Sequence, residues 1–435
     1  MENNPYIQYM YSYPHKTAYG ALRDIDLRAY LSCLRGGENS LYFHVPFCQY
    51  KCGYCNLFSA AGAKTGMMET YVDAMERHAD GLRKILPEEV RFSDFTIGGG
   101  TPLILPERLL KKMFSIAGEY FGFSPGDGPI VVETSPNQTT REKLLVLKEH
   151  GATRISIGVQ SFVPEELKTL HRLHSEERAK EALYAIRETG FECVNIDIIY
   201  GIPGQTAESL LYSLEQALLF KPEELFVYPL YVKPETEIYR QGLTPSPDTL
   251  EMYYAVRERL MKEGYEAYSM RRFVRKKGKS RIEPEKRPCG FGNTLSVGCG
   301  GRSYLGRLHI CTPYAVRQEP CLAVLQDYIE QEDYTNVDYG FLLDEAEEKR
   351  RYVIQHILFG QGISRADYRM HFHAEVERDF PIVQDWTESG YAVKQDEFIT
   401  LTEKGFAWSD YLGAQLISER VREKMEIWRK NHGAD

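Results

Sequence analysis

From about residue 40 the sequence alternates short apolar runs with amphipathic stretches, and this alternation is its most restrictive feature. The apolar runs read LYFHVPF, FTIGG, IVVETS, RISIGVQ, VNIDIIYGIP and LFVYPLYV. Helix-like segments separate them at 68–84, 106–120, 139–150, 175–190 and 207–220. This repetition predicts βα units around a parallel sheet. Six units are fewer than the eight of a closed TIM barrel, so we expect an α/β fold with an open, partial (βα)6 barrel. Its functional groups should lie at the carboxyl ends of the strands.

The 435 residues exceed one ordinary core and predict several domains. We expect an aromatic-rich N-terminal arm over 1–39, the barrel over 40–235, a barrel extension with a glycine-rich segment over 236–335 and a C-terminal domain over 336–435. In the last of these, amphipathic stretches precede the two-stranded pattern YAVKQDEFITLTEKG, which predicts a small, mainly helical, winged-helix-like fold. Such folds often bind DNA, but this one is not notably basic, so a lid or docking role fits it better.

Composition excludes several classes of partner. A formal net charge of -9 disfavours nucleic acid, because duplex binding needs a basic surface. No apolar stretch is long enough for a membrane span, and the N-terminus lacks the apolar core of a signal peptide. We therefore expect a cytoplasmic protein with no membrane partner, in which clustered cysteines bind metal more often than they form disulfides.

Two segments each allow two interpretations. The arm carries five tyrosines that either pack over the barrel, which we favour, or form a lid over a flat ligand: Tyr6, Tyr9, Tyr11, Tyr13 and Tyr19. The basic stretch RRFVRKKGKSRIEPEKR is either a solvated loop, which is the more common case, or a clamp for a phosphate or carboxylate.

Three cysteines, Cys48, Cys52 and Cys55, follow the first predicted strand in C-x3-C-x2-C spacing. A tight loop of this kind can direct three thiolates at three irons of a [4Fe–4S] cluster, and the fourth iron stays open for S-adenosylmethionine (SAM). Reduction of such a cluster cleaves SAM and releases a 5′-deoxyadenosyl radical. Zinc is the alternative metal, but it normally takes a fourth Cys or His at compatible spacing.

Residues at the ends of later strands are candidates for binding SAM. In the turn GGGTP, which contains Gly99, Gly100 and Thr101, glycines let the backbone approach a ligand, and its N–H and C=O groups can hold the methionyl ammonium. Three polar residues interrupt apolar runs on successive strands: Glu133, Gln160 and Asp197. Burying such a group without a partner costs about 1–3 kcal/mol. Each either satisfies nearby backbone or binds a ligand, and their common position at one end of the sheet favours a ligand.

Together these motifs resemble those of the oxygen-independent coproporphyrinogen III oxidase-like family of radical SAM proteins, the HemN/HemW group. The resemblance covers most of the chain from about Leu41 and includes Y-x-H-x-P-F-C, G-G-G-T-P, S-x-G-V-Q-S-F and D-x-I-Y-G-I-P-G-Q-T. It implies SAM contacts from Tyr42, Gly100, Thr101 and Glu133, and an adenine contact from the backbone of Tyr54. It also implies that a nucleoside or a second SAM molecule is bound by Gln160, Arg172 and Asp197. The glycine-rich segment GCGGRSY, Gly298 to Tyr304, would lie beside the active site.

Two departures from the family pattern concern the substrate. Asn56 and Leu57 follow the third cysteine, where the decarboxylating oxidase has Gly-Cys, and CGFGNTLSVGCGG stands where haem chaperones carry H-N-x-x-Y-W. Three functions stay open: decarboxylation of a coproporphyrinogen-like tetrapyrrole, methyl or methylene transfer to another small molecule, and non-catalytic haem binding or trafficking. The two enzymatic functions would need a reducing partner such as flavodoxin or ferredoxin.

Further cysteines and one histidine have both a structural and a functional interpretation. A loose late series could hold an auxiliary cluster, although spacings of about ten residues lack the tight hook of such sites: Cys289, Cys299, Cys311 and Cys321. His44 lies two residues after Tyr42 and so on the same face of the strand, either near SAM or packed in the core.

Overall fold

A computed structural model describes residues 5–10, 12–276 and 292–432. Six parallel strands form its centre: β1 (Asn39–Val45), β2 (Asp94–Gly99), β3 (Ile130–Thr134), β4 (Arg154–Gln160), β5 (Cys193–Tyr200) and β6 (Glu224–Pro229). Each is followed by a helix: α1 (Thr65–Arg83), α2 (Glu107–Phe121), α3 (Arg141–Glu149), α4 (Glu176–Thr189), α5 (Ala207–Leu218) and α6 (Thr249–Lys262). The five helical segments expected from the sequence differ from α1–α5 by at most three residues at either end.

Local chemistry explains where these helices begin and end. The Ser175 side chain accepts a hydrogen bond from the Arg178 N–H at the start of α4, and Gly190 ends that helix in the left-handed conformation with φ +76°. The Thr206 and Ser209 side chains form a reciprocal capping box at the start of α5. These end signals are local, which is why the sequence alone predicts them well.

The six strands lie side by side in chain order, and every neighbouring pair is parallel. Their apolar side chains are fully buried, as in Phe43, Ile97, Val132 and Ile155, because helices cover the sheet. The carboxyl ends of the strands therefore meet along one edge, and the polar strand residues lie close to that edge.

The sheet continues on both sides of these strands. Beyond β6 lie two antiparallel strands, β7 (Tyr265–Ala267) and β8 (Arg272–Arg275). Beyond β1 lies β9 (Asn293–Val297), a seventh parallel strand that the sequence did not predict. An antiparallel series follows it: β10 (Ser303–Leu305), β11 (Leu308–Ile310), β12 (Tyr339–Leu342) and Gly20–Ala21. In the described chain the two outermost strands do not pair with each other, so the sheet is open, which agrees with the partial barrel expected.

The C-terminal domain has the predicted arrangement of helices followed by a wing. The helices before the wing are Glu345–Ile357, Arg365–Phe372, Val376–Asp379 and Ile382–Glu388. The wing pairs Ala392–Gln395 with Phe398–Leu401, and Ile363–Ser364 adds a third strand to the two that were predicted. Three helices that the sequence did not predict follow the wing: Glu403–Ala407, Ser409–Gln415 and Glu419–Asn431. No helix of the described chain has the length and apolarity needed to cross a bilayer.

The N-terminal arm packs against both parts of the molecule. Tyr13 is almost fully buried, and its hydroxyl donates to Glu347 of the C-terminal domain. Tyr6 packs edge-on against Tyr200 of β5, with ring centroids 5.9 Å apart. Tyr19 is also buried, whereas Tyr9 lines the cavity described below. Packing therefore accounts for most of the described tyrosines of the arm, and Tyr11 lies outside the described residues.

The basic stretch begins at Arg271, one residue before β8, and only its first six residues are described. Three of its arginines form ion pairs with carboxylates: Arg271 with Asp410, Arg272 with Glu224, and Arg275 with Glu223. The positive charges of these three arginines are therefore balanced by carboxylates within the protein, and this part of the stretch has a structural role. The remainder, from residue 277 to 287, lies outside the described residues.

Candidate active site

A cavity of about 510 Å³ opens at the carboxyl ends of the six central strands. Eleven of the twelve predicted site residues line it: Cys48, Cys52, Tyr54, Cys55, Gly99, Gly100, Thr101, Glu133, Gln160, Arg172 and Asp197. The twelfth, Tyr42, lies behind the cavity wall. Its hydroxyl is 3.2 Å from His44 Nδ1 and, together with Glu133, faces Gly98, where a Cβ would lie 3.0 Å from the tyrosine oxygen.

The cysteine loop is tied to the GGGTP turn by backbone hydrogen bonds. The Gly100 N–H donates to the Val45 carbonyl (2.8 Å), and the Thr101 N–H donates to the Phe47 carbonyl (2.8 Å). A Cβ on Gly100 would lie 2.5 Å from the Phe47 oxygen and 2.9 Å from Cys48 Sγ, so only glycine allows this approach. These N–H groups are already used within the protein. An ammonium has only donors and needs acceptors, so the carbonyl groups of the turn, and not its N–H groups, are suited to it; this corrects the expectation that both kinds of group hold it.

The three cysteines line the cavity together. Burial raises the pKa of Cys48 to about 12, and the neighbouring Cys55 and Cys52 thiolates add to this shift. The thiolate form of Cys48 therefore needs a cationic partner. Across the described residues, no three His, Cys, Asp or Glu side chains are grouped so as to hold a single metal ion. A cubane cluster needs a wider arrangement, because each thiolate binds its own iron.

Two carboxyl groups also line the cavity. Glu133 Oε2 accepts a hydrogen bond from the Gly99 N–H at 3.0 Å, and burial raises the pKa of Glu133. Burial also raises the pKa of Asp197 to about 7, and the charge of Glu133 adds to that shift. The Asn195 amide donates to Asp197 at 2.7 Å. The strands thus hold two carboxyl groups in a poorly solvated space, where hydroxyl or ammonium groups of a ligand would satisfy them.

Gln160 and Arg172 link the end of β4 to the cysteine loop. Gln160 is buried at φ +74°, a conformation unusual for this residue type, and its Oε1 accepts a hydrogen bond from the Tyr228 hydroxyl at 2.8 Å. Arg172 Nη1 lies 3.2 Å from Cys52 Sγ, and Nη2 donates to the Gly158 carbonyl. Arg172 is therefore not a helical surface residue, which would be the ordinary interpretation of its sequence context.

Sequence reasoning missed several polar residues of the cavity wall. Ser156 and Asn195 line it and are hydrogen-bonded to each other at 2.7 Å. Both lie two residues from another wall residue of the same strand, Gly158 and Asp197, so strand alternation could have identified them. Lys233 follows β6 at the cavity wall, and burial lowers its pKa to about 8.

The remaining candidates are structural. The ring of His44 is buried between Gly99 and Gly300, where a Cβ would approach it to 2.8 and 2.9 Å, and its Nε2 lies 3.3 Å from the Phe58 carbonyl oxygen. Cys299 Sγ lies 3.7 Å from Thr312 Oγ1. The described members of the late cysteine series form no metal site, and Cys289 lies outside the described residues.

Comparison with known proteins agrees with this geometry. Residues 42–217 match the model of the radical SAM superfamily. The chain is 27% identical over 376 residues to the heme chaperone HemW of Bacillus subtilis, which covers 84% of this chain and 96% of that protein. It is 30% identical over 264 residues to HemW of Escherichia coli K12, which covers 60% and 68%. The structure of E. coli coproporphyrinogen III oxidase (HemN) has the same fold, with a TM-score of 0.79 at 23% identity over 94% of this chain and 96% of that one.

The open βα sheet, with the three-cysteine loop at the carboxyl edge of its strands, is that of a radical SAM protein. Within that superfamily the chain belongs to the HemN/HemW-like family. Its cofactors are those of the superfamily, a [4Fe–4S] cluster and SAM.

Proposed function

We propose that the chain is an enzyme that cleaves SAM reductively and abstracts hydrogen from a small molecule bound in the cavity. With SAM bound, a reduced [4Fe–4S] cluster supplies a 5′-deoxyadenosyl radical. The observation that carries the proposal is one cavity of about 510 Å³ whose lining includes three thiols, two carboxyl groups and two arginines. Such a concave space with few polar groups of perturbed pKa is typical of an active site.

In this proposal Cys48, Cys52 and Cys55 each bind one iron. The Thr101 hydroxyl lies 3.8 Å from Cys48 Sγ and would orient that ligand. The carbonyl groups of Gly99 and Gly100 would accept hydrogen bonds from the SAM ammonium.

The other predicted residues would form a second layer of contacts. Glu133 and Asp197 would accept hydrogen bonds from ribose hydroxyls or an ammonium, and the backbone of Tyr54 would line the adenine. Gln160 and Arg172 would bind a nucleoside or a second SAM molecule, with Arg172 also donating to Cys52. Tyr42 would act as a positioning residue, because its hydroxyl and the Glu133 carboxylate both face Gly98.

The proposal extends to the surroundings of the site. We assign the four-part division at 1–39, 40–235, 236–335 and 336–435, with the C-terminal domain as a cover over the cavity. The eight described cysteines are free thiols, which suits a reducing, cytoplasmic location. The electron would come from a low-potential partner such as flavodoxin or ferredoxin.

The test is anaerobic reconstitution of the full chain, followed by SAM and dithionite. We expect 5′-deoxyadenosine from the wild-type protein and none from the Cys55→Ser variant. A wild-type protein with full iron and sulfide content that forms no 5′-deoxyadenosine, with or without cell lysate, would refute the proposal. If 5′-deoxyadenosine forms, SAM with an isotope-labelled methyl group separates oxidative decarboxylation from methyl or methylene transfer, since only transfer places the labelled carbon in a product.

A non-catalytic haem-binding role is the second candidate, because the relative that aligns with nearly its whole length is a heme chaperone. The missing H-N-x-x-Y-W sequence before the glycine-rich segment disfavours it. Haem titration distinguishes the two functions: a carrier shows a stoichiometric Soret shift without SAM, whereas we expect no such shift.

A further inference from the structure

Lys16 of the N-terminal arm is buried beside the cysteine loop. Its side chain is 7% exposed, its Nζ donates to the Asn56 carbonyl at 2.9 Å, and Asn56 directly follows Cys55. The ammonium also lies 4.0 Å from the centre of the Tyr314 ring, whose hydroxyl donates to the same Asn56 carbonyl at 2.7 Å. Within the described chain Lys16 forms no ion pair with a carboxylate.

A buried ammonium is costly unless an anion lies close to it. One carbonyl and one ring face offset only part of the lost hydration. Burial lowers the pKa of Lys16 well below its ordinary value, so the charged form of this side chain depends on an anion beside it. The candidate anion on this side of Lys16 is the cysteine loop, because the Lys16 Nζ donates to the carbonyl of Asn56, the residue after Cys55. Three thiolates on an iron–sulfur core carry a net negative charge, which one-electron reduction increases.

We propose that Lys16 stabilises the reduced form of the cluster bound through Cys55 and thereby raises its reduction potential. Net charge around an iron–sulfur cluster is one of the factors that set its potential, and a fixed cation favours the more negative redox state. The inference rests on the proposed ligation of the cluster by the three cysteines.

The fold holds Lys16 at this position from two sides. The turn Lys16–Ala18 packs against the C-terminal helix Glu419–Asn431. On that helix Trp428 lies against the Tyr314 ring, with centroids 5.3 Å apart. The arm and the C-terminal domain thus fix one positive charge next to the loop, which gives the arm a role beyond packing.

A potentiometric titration of the reconstituted full-length protein, followed by EPR of the reduced cluster, tests this. Lys16→Gln removes the charge but retains a donor for the Asn56 carbonyl. We expect its ratio of reduced to oxidised cluster at a fixed potential to fall about three- to tenfold. This corresponds to a midpoint about 30 to 60 mV more negative, because a tenfold change is 59 mV for a one-electron couple. Lys16→Arg, which keeps the charge, should titrate like the wild type.

Tyr314→Phe is the matched control, since it removes the other hydrogen bond to the Asn56 carbonyl without changing charge. We expect its midpoint to equal that of the wild type. The proposal is overturned if Lys16→Gln leaves the midpoint unchanged, or if Tyr314→Phe shifts it equally, which would indicate loop geometry instead of charge. Loss of the cluster from both Lys16→Gln and Lys16→Met, but not from Lys16→Arg, would also overturn it, by assigning Lys16 to cluster assembly. Failure of the wild type to form 5′-deoxyadenosine would refute the proposed enzyme activity but leave these midpoints interpretable.

Discussion

Asp197 offers the sharpest test of the view that the cavity is built for a ligand at the expense of stability. Its carboxyl group has a pKa raised from 3.8 to about 7 by burial and by the charge of Glu133. Without ligand, its ionised form is therefore unfavourable in the folded chain. Asp197→Asn removes the charge and keeps the shape, so we expect the cluster-free variant to be more stable than the wild type at pH 8.

The magnitude follows from the pKa values. One pKa unit corresponds to about 1.4 kcal/mol, so a change from 3.8 to about 7 gives an upper limit of about 4 kcal/mol. Arg154 and Arg172 lose a favourable negative neighbour in the variant, and the Asn195 hydrogen bond becomes weaker, which together reduce the gain. We expect a net stabilisation of about 1–2 kcal/mol.

The sign of the pH dependence is fixed by the direction of the shift. Between about pH 4 and pH 7 the folded state retains a proton that the unfolded state has lost, so ionisation of Asp197 opposes folding. The free energy of unfolding of the wild type therefore falls as pH rises from about 4 to about 7, and Asp197 causes no further fall above pH 7. The difference between Asp197→Asn and the wild type should be near zero at pH 4 and complete at pH 8.

The assay is thermal unfolding of the cluster-free proteins over this pH range, with Asp248→Asn, a substitution at an exposed carboxylate, as control. At pH 8 we expect the midpoint of Asp197→Asn to lie about 1 to 2 °C above that of the wild type. A variant that is less stable than the wild type at pH 8, or equally shifted at every pH, would refute the reasoning.

Three further substitutions test other parts of the structure. Gly100→Ala places a Cβ against the Phe47 carbonyl and should destabilise the chain by about 1–3 kcal/mol and lower its iron content after reconstitution; full iron content would contradict the close approach of turn and loop. Asp410→Asn leaves Arg271 buried without its ion pair and should cost about 3–5 kcal/mol in denaturant unfolding, whereas Arg271→Met combined with Asp410→Leu should cost less than the two single substitutions added together. Additive costs would show that the pair is not coupled. Tyr228→Phe removes the hydroxyl that donates to Gln160. It should reduce the free energy of SAM binding, measured by equilibrium dialysis, by more than it reduces the free energy of unfolding. Unchanged binding would place Gln160 outside the ligand site.

Local signals made the βα core predictable from the sequence. Helix caps, glycine stops and continuous apolar runs lie within a few residues of the elements they define, so α1–α5 were located closely. Strand β9 has no such signal, because its sequence NTLSV is short and lies next to the glycine-rich segment. It becomes a strand by pairing with β1, whose sequence lies about 250 residues earlier, and such a pairing has no local cause.

The residues of the candidate site also fall into two groups, those with a local sequence pattern and those without one. Cysteines spaced within one loop and polar residues at strand ends carry their own pattern, and the cavity contains them as expected. No local sequence pattern marks Lys16, because its role depends on its contact with the carbonyl of Asn56, forty positions later in the chain. Arg172 follows the same logic: its sequence context suggests an exposed helical residue, but the turn after the short helix Pro164–Thr169 directs it to Cys52.

The buried contacts of the C-terminal domain argue for a fixed cover and against a swinging lid. Asp410 accepts hydrogen bonds from Arg271 and from the Tyr231 hydroxyl, and Tyr231 lines the cavity and stacks on Tyr9 of the arm at 5.0 Å. Displacing this domain would break these contacts and expose the apolar surface packed around them, which makes an opened state costly. A substrate that entered only by displacing this domain would meet that barrier at each turnover. A route between the cysteine loop and the strand ends would avoid it and would leave Lys16 in place beside the loop.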